Sequence, residues 1–313
     1  MEFIKKNKED VLILKEYELQ NGATIPLLYF PLLEETGIVK HCFTTRFGGV
    51  SKGDCATLNL SFARGDDVEA VEENFARVAE AMGVSVEDFV CSDQTHTTNI
   101  LKVTSKERGC GIVKEKEYTD IDGLITNEPN VVLSTFYADC IPLYFVDPVN
   151  KAIGLSHSGW KGTLGRIGQK TLEAMKEAYG TNPSDVICAI APSVCKDCYE
   201  VCEDLALAFA KEFDAYKDEI LVDKENGKYL IDLWRINEIV LLEAGVKKEH
   251  IAVTNICTCC NPNLLFSHRA TKGRRGNLGA FLSLQEEPTI LDDEMPEYQA
   301  AEIVSTMMTT GIL

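Results

Sequence analysis

The stretch Val131-Val132-Leu133-Ser134-Thr135-Phe136, Ile141-Pro142-Leu143-Tyr144-Phe145-Val146 and Lys151-Ala152-Ile153-Gly154-Leu155-Ser156 sets the architecture. These are three apolar runs at short intervals, rich in β-branched and aromatic residues, and the last two are joined by the turn Asp147-Pro148-Val149-Asn150. Antiparallel pairing of all three is the simplest expectation. Each junction also carries a residue with chemistry. Cys140 sits in Ala138-Asp139-Cys140-Ile141-Pro142, and His157 in Gly154-Leu155-Ser156-His157-Ser158-Gly159-Trp160-Lys161-Gly162. The near end of one strand and the far end of its hairpin partner lie side by side, so a hairpin would bring Cys140 and His157 together.

Working outward, Phe89-Val90-Cys91 leads into the polar loop Ser92-Asp93-Gln94-Thr95-His96, and Ile100-Leu101-Lys102-Val103 resumes as a strand. Two imidazoles and one thiolate, His96, Cys140 and His157, make a three-ligand zinc set, and three protein ligands with a fourth position left open point to catalysis. The separations match no short zinc motif, so a core cysteine and hydrogen-bonded loop histidines remain the alternative from spacing alone. The same donors occur in blue copper centres, but no methionine lies near Cys140 or His157 in sequence to serve as an axial ligand. Copper is therefore the lesser expectation. A laccase-like multinuclear copper cluster would need many more imidazoles than the five present.

Towards the N-terminus, Val11-Leu12-Ile13-Leu14 and Pro26-Leu27-Leu28-Tyr29-Phe30 read as strands around the turn Asn21-Gly22, followed by the short run His41-Cys42-Phe43-Thr44-Thr45. Val68, Val71, Phe75, Val78, Ala79 and Met82 follow helical spacing, with Asp66 or Asp67 as cap. Thr119-Asp120-Ile121-Asp122-Gly123-Leu124-Ile125-Thr126 reads as a turn and short strand. A helix is expected through Leu164, Ile167, Leu172, Met175 and Ala178 to Gly180, another over roughly 200–213 and a third opening near Asp232. The strands Val186-Ile187-Cys188-Ala189-Ile190, Ile251-Ala252-Val253-Thr254 and Ala301-Glu302-Ile303-Val304-Ser305-Thr306 are interleaved with or follow these helices, and residues 285–297 read as an acidic surface loop.

The 313 residues hold 31 Lys and Arg against 49 Asp and Glu, a net charge of −18. Such a surface repels a nucleic-acid backbone, so an anionic substrate must meet a local positive pocket. No stretch approaches the roughly 20 apolar residues needed to span a bilayer, and no apolar segment follows Lys5, Lys6 and Lys8, so the chain reads as cytoplasmic. Twelve cysteines in a reducing compartment argue against a disulfide framework.

Several strings together resemble the YfiH-type proteins, long labelled polyphenol oxidase or laccase-domain proteins and since assigned purine nucleoside phosphorylase activity. They are Thr44-Thr45-Arg46-Phe47-Gly48-Gly49-Val50-Ser51, Leu58-Asn59-Leu60-Ser61, Gln94-Thr95-His96, Asp122-Gly123-Leu124-Ile125-Thr126-Asn127, Ala138-Asp139-Cys140-Ile141-Pro142, His157-Ser158-Gly159-Trp160-Lys161-Gly162, Cys198-Tyr199-Glu200-Val201, Asp232-Leu233-Trp234 and Leu265-Phe266-Ser267-His268-Arg269. The chain departs from the usual family residues at Thr97, Lys161 and His268. The resemblance implies an α+β fold, a single domain over residues 1–313 layered α/β/β/α with mixed sheets, and a Zn2+ ion held by His96, Cys140 and His157. It also implies purine nucleoside and phosphate as substrates, with adenosine deaminase and methylthioadenosine phosphorylase activities alongside.

Phosphorolysis requires an anion held in line with C1′ of the ribose. Arg46, on a glycine-flanked loop, is the expected bidentate phosphate ligand, with Lys161 as an added point charge. Asp139, beside Cys140, is expected to orient an imidazole or act as general base, Asp93 and Asp122 being weaker versions of the same idea. Asn59 and Gln94 follow from the resemblance alone as ribose or base ligands. Rival readings are a hydrolase with Cys140 as nucleophile and His157 as base, acting on a peptidoglycan precursor, and a non-catalytic metal- and nucleoside-binding protein. Cys195, Cys198, Cys202, Cys257, Cys259 and Cys260 supply enough thiols for a second metal or an iron–sulfur centre. The family pattern carries cysteines near Cys198 without an accepted cluster, which favours plain buried or loop thiols.

Overall fold

A computed structural model describes residues 1–286. Its strands are β1 (Ile13–Glu18), β2 (Thr24–Tyr29), β3 (Val39–Thr44), β4 (Phe89–Cys91), β5 (Ile100–Lys102), β6 (Gly123–Thr126), β7 (Val132–Tyr137), β8 (Ile141–Asp147), β9 (Ala152–Ser158), β10 (Ile187–Ile190), β11 (Glu200–Cys202), β12 (Leu221–Asp223), β13 (Lys228–Ile231), β14 (Ile251–Val253) and β15 (Leu278–Leu284). One sheet runs β1-β2-β3-β15-β7-β4, a second β14-β10-β8-β9-β6-β5, and a small third β11-β13-β12. Both large sheets are mixed: β4 joins β7, β14 joins β10 and β5 joins β6 in parallel, while the other pairs are antiparallel.

The two large sheets face each other across a core in which Phe43, Leu133, Tyr137 and Leu282 meet Leu124, Tyr144, Ile153 and Leu155. Outside the first sheet packs the helix Val68–Met82, burying Val71, Phe75, Val78 and Met82. Its cap is Asp67, whose carboxylate accepts the Glu69 N–H. Outside the second sheet lie the helices Ile167–Tyr179, Glu203–Glu212 and Leu233–Glu243. The result is the expected α+β order of four layers, α/β/β/α, each sheet burying both faces.

Three expectations change, and one strand is added. β8 and β9 form the hairpin, with Pro142 opposite His157, but β7 does not extend it. It lies in the other sheet between β15 and β4, because Ala138-Asp139-Cys140 hops between sheets through a turn that places Asp139 at φ +88°. The helix expected from Leu164 breaks at Arg166, which adopts φ +58°, into Trp160–Leu164 and Ile167–Tyr179. The helix expected from Glu200 opens only at Glu203, since Glu200–Cys202 pairs with β13. Strand β15 was not anticipated, although it is central to its sheet and buried along its length. The expected strand at 301–306 lies outside the described residues, as does most of the acidic stretch. Among the described residues no helix is long and apolar enough to cross a membrane.

Candidate metal centre

The inter-sheet hop brings the two ends of the β8–β9 hairpin to the rim where the sheets meet, and the loop after β4 reaches the same point. There the ligating atoms of His96, Cys140 and His157 lie within 4.8 Å of one another. Cys140 Sγ is 3.8 Å from His96 Nε2, and the two imidazole rings stand edge to face with centroids 4.9 Å apart. Gly159 makes this approach feasible: a Cβ there would sit 2.7 Å from His96 Cδ2 and 3.3 Å from Cys140 Sγ.

The residue that assembles the set is Asp122, fully buried immediately before β6. Its carboxylate accepts the backbone N–H groups of Thr95 (3.2 Å), His96 (3.1 Å) and Thr97 (2.7 Å) and the Thr97 hydroxyl (2.9 Å). Its Oδ1 is also 2.7 Å from His157 Nδ1. One buried carboxylate thus shapes the His96 loop, where His96 itself holds φ +67°, and fixes the His157 ring. With Nδ1 committed, Nε2 is left as the ligating nitrogen of His157. Burial works against ionisation of Asp122, yet the His157 and Thr97 hydrogen bonds hold its carboxyl below the usual range.

The electrostatics favour ligation. Burial opposes the Cys140 thiolate, but His157 and His96 outweigh it and bring the thiol down to about 6. Burial likewise opposes a charged His157, while the Cys140 thiolate and Asp122 lift it to about 9. Two imidazole nitrogens and a readily ionised thiol, already converged, fit a divalent ion of zinc's preferences.

Two cavities flank the set. One, about 340 Å³, is lined by Arg64, Lys116, Phe136, Arg275 and the three donors. The other, about 430 Å³, is lined by His96, Asp139, Cys140, Trp160, Tyr199, His268 and again Arg64 and Arg275. A larger depression of about 680 Å³, against Asp232, Arg235 and Asn255, contains none of the donors. Arg275 is the most telling cation: its Nε is buried without a partner, and burial with Arg64 nearby presses its guanidinium down to about 10.

The other residues singled out from sequence are placed differently. Arg46 lies away from both cavities; its guanidinium donates to the carbonyls of Ala56 (2.7 and 2.9 Å) and Pro262 (2.9 Å) and stacks on Phe266. Asn59 is buried and ties Ser61, Asp66 and Asn277 together. Gln94 lines the smaller cavity, but its amide already bonds both backbone groups of Phe136. Lys161 is exposed and rests near the Trp160 ring. Asp139 lines the larger cavity, accepting from the Thr258 hydroxyl (2.7 Å) and the Arg269 N–H (2.6 Å). The imidazole partner is Asp122 instead. Asp93 pairs with Lys116. Arg64 and Arg275 went unremarked in the sequence, although the basic run Lys272-Gly273-Arg274-Arg275-Gly276-Asn277 in so acidic a chain was a usable signal.

Comparison with known proteins places the chain in a family. Residues 40–285 match the family described as multi-copper polyphenol oxidoreductase laccase. The purine nucleoside phosphorylase YlmD of Bacillus subtilis is 35% identical over 248 residues, covering 78% of this chain and 88% of that protein. Its namesake from Geobacillus stearothermophilus is 37% identical over 247 residues, covering 79% and 90%. The crystal structure of the latter's YlmD superposes with a TM-score of 0.78 at 34% identity, covering 86% of this chain and 99% of that one. The Bacillus licheniformis protein YfiH gives 0.79 at 32% identity, covering 83% and 96%. Sequence and fold converge on one conclusion: the chain belongs to the polyphenol oxidoreductase laccase family, the family of YfiH and YlmD.

Proposed function

We propose that this protein is a zinc-dependent purine nucleoside phosphorylase, acting on inosine, guanosine and adenosine, with adenosine deamination and methylthioadenosine phosphorolysis as side activities. One observation carries the reading: within the converged His96–Cys140–His157 set, His96 and Cys140 line both of two adjoining cavities and His157 the smaller one, and Arg64 and Arg275 line both. When bound there, zinc supplies Lewis acidity towards a phosphate or ribose oxygen, or a water whose pKa falls to about 7.

Arg64 and Arg275 hold the phosphate. Two neighbouring guanidiniums, one of them with a buried, unpartnered Nε–H, are relieved by an anion that accepts from both. Trp160 and Tyr199 offer flat apolar faces to the purine in the other cavity. A phosphate oxygen then bonds C1′ as the bond to the purine nitrogen breaks, and the base leaves with the electron pair. Asp139, fixed by Thr258 and Arg269, is the candidate base next to the donors. The test is to incubate purified protein with each nucleoside and phosphate, with and without chelator, and assay free base and ribose 1-phosphate by mass spectrometry. Absence of both products from metal-replete protein would refute the proposal.

The Cys140–His157–Asp122 alignment also supports a second reading, a cysteine hydrolase in which Asp122 orients the base. Such an enzyme keeps its activity in chelator, whereas a zinc phosphorylase does not.

A further inference from the structure

Parallel neighbours β10 and β14, in register at Ile190 and Val253, each run into a Cys-x-x-Cys turn at the same sheet end. These are Cys195-Lys196-Asp197-Cys198 and Cys257-Thr258-Cys259-Cys260. A bridge between Ser193 and Cys257, with the Thr258 N–H donating to the Ser193 carbonyl at 3.1 Å, holds the two turns together. All four sulfurs, from Cys195, Cys198, Cys257 and Cys260, lie within 4.8 Å of one another. Cys198 and Cys260 are 3.5 Å apart, too far for a disulfide bond.

We propose that these four thiolates bind a second, structural zinc ion. A tetrahedral ion with Zn–S bonds of about 2.3 Å sets its sulfurs about 3.8 Å apart, which is the spacing the two turns approach. The surroundings suit a site of net negative charge. Cys257 Sγ accepts the backbone N–H groups of Cys195 (3.3 Å) and Cys260 (3.4 Å), the N–H···S pattern that steadies a ligating thiolate. Lys6 adds a cation, its ammonium bonded to Asp197 at 2.9 Å and close to Cys195 and Cys260. Four protein ligands close the coordination shell, so the ion has a structural role, unlike the open His96 set.

Its position says what it secures. Thr258, inside one turn, donates to the Asp139 carboxylate at 2.7 Å, and Val194, which precedes Cys195, donates its N–H to the Asp139 carbonyl at 3.0 Å. Ile4 bonds to Asn261, which in turn bonds the Cys257 carbonyl. The tetrathiolate therefore fastens the N-terminal segment to the second sheet and positions Asp139 from behind the cavity.

The test is metal stoichiometry by plasma mass spectrometry on protein purified under reducing conditions. Wild type should carry two zinc equivalents, His96→Ala one, and the Cys198→Ser/Cys260→Ser double variant one. Cobalt loaded into His96→Ala should give the intense sulfur-to-metal charge-transfer and visible bands of tetrahedral tetrathiolate coordination. Because this readout uses a chain with all four cysteines, it stands even if the double variant does not fold. Zinc-free His96→Ala protein, a cobalt spectrum without thiolate bands, or acid-labile sulfide with iron would each overturn the proposal. None of these outcomes depends on phosphorolysis.

Discussion

At the scale of the residue, Asp122 does most to organise the site, although it lines neither of the two cavities beside the donors. One carboxylate satisfies three consecutive backbone N–H groups and fixes the His157 tautomer. Asp122→Asn keeps the size but replaces one acceptor oxygen with a donor, so a loop N–H or the His157 Nδ1–H must lose its partner. Metal affinity, read by competition with a chromophoric chelator, should fall by about 10–100-fold. Arg275 offers a contrasting case. Arg275→Gln should raise KM for phosphate by at least about tenfold, the equivalent of one charge-assisted hydrogen bond at about 1.5–3 kcal/mol, with nucleoside KM little changed. Arg46→Gln, by comparison, should cost thermal stability, since that guanidinium braces the loop carbonyls of Ala56 and Pro262. Equal KM effects for phosphate in the two variants would remove Arg275 from the phosphate site.

At the scale of the element, legibility in the sequence followed locality. The β8–β9 hairpin could be read because its turn and both its apolar runs are contiguous, and with it came the meeting of Cys140 and His157. The partner of β7 could not, because whether a short link turns back within a sheet or hops to the facing one is decided by a single residue's backbone, here Asp139 at φ +88°. β15 was missed for a different reason. Leu278-Gly279-Ala280-Phe281-Leu282-Ser283-Leu284 is apolar but for Ser283, so it reads equally as buried strand or helix segment and lacks the alternation of a half-buried strand. Arg46 looked like a phosphate ligand because its glycine-flanked loop suggested an approach to substrate. Only the fold reveals that the guanidinium is occupied by backbone carbonyls from residues as distant as Pro262. The turn into the helix Trp160–Leu164 carries its own test. Gly159 has φ −73°, open to any residue, so its constraint is purely one of space. Gly159→Ala should drive His96 and Cys140 apart, weakening metal binding by at least about tenfold while the unfolding midpoint of the chelated protein hardly moves. A variant with unaltered metal affinity would mean that the rim relaxes around the methyl group.

At the scale of the whole molecule, the interface between the two large sheets contains a titratable group that bears on stability, His41 on β3. Its ring lies among Phe30, Tyr29 and Tyr144, the last reaching across from the second sheet, and its Nε2 accepts the Phe30 N–H at 2.9 Å. Burial, with a smaller contribution from Lys15, takes its pKa from 6.5 down to about 3. The folded protein therefore keeps His41 neutral where the unfolded chain protonates it. Between about pH 6.5 and 3 the unfolded state binds more protons, so stability rises with pH and is lost on acidification, at up to about 1.4 kcal/mol per pH unit. From pH 7 to pH 5 this one group should cost about 2 kcal/mol of unfolding free energy. His41→Gln retains an acceptor for the Phe30 N–H but cannot titrate. Urea unfolding of both proteins in chelator at the two pH values isolates the effect, because the carboxylates and the other histidines are common to both. The variant should be less stable at pH 7, where a well-packed ring has been lost, yet lose about 2 kcal/mol less than wild type on going to pH 5. Parallel losses in the two proteins would mean that the inter-sheet core admits a proton to His41 without opening.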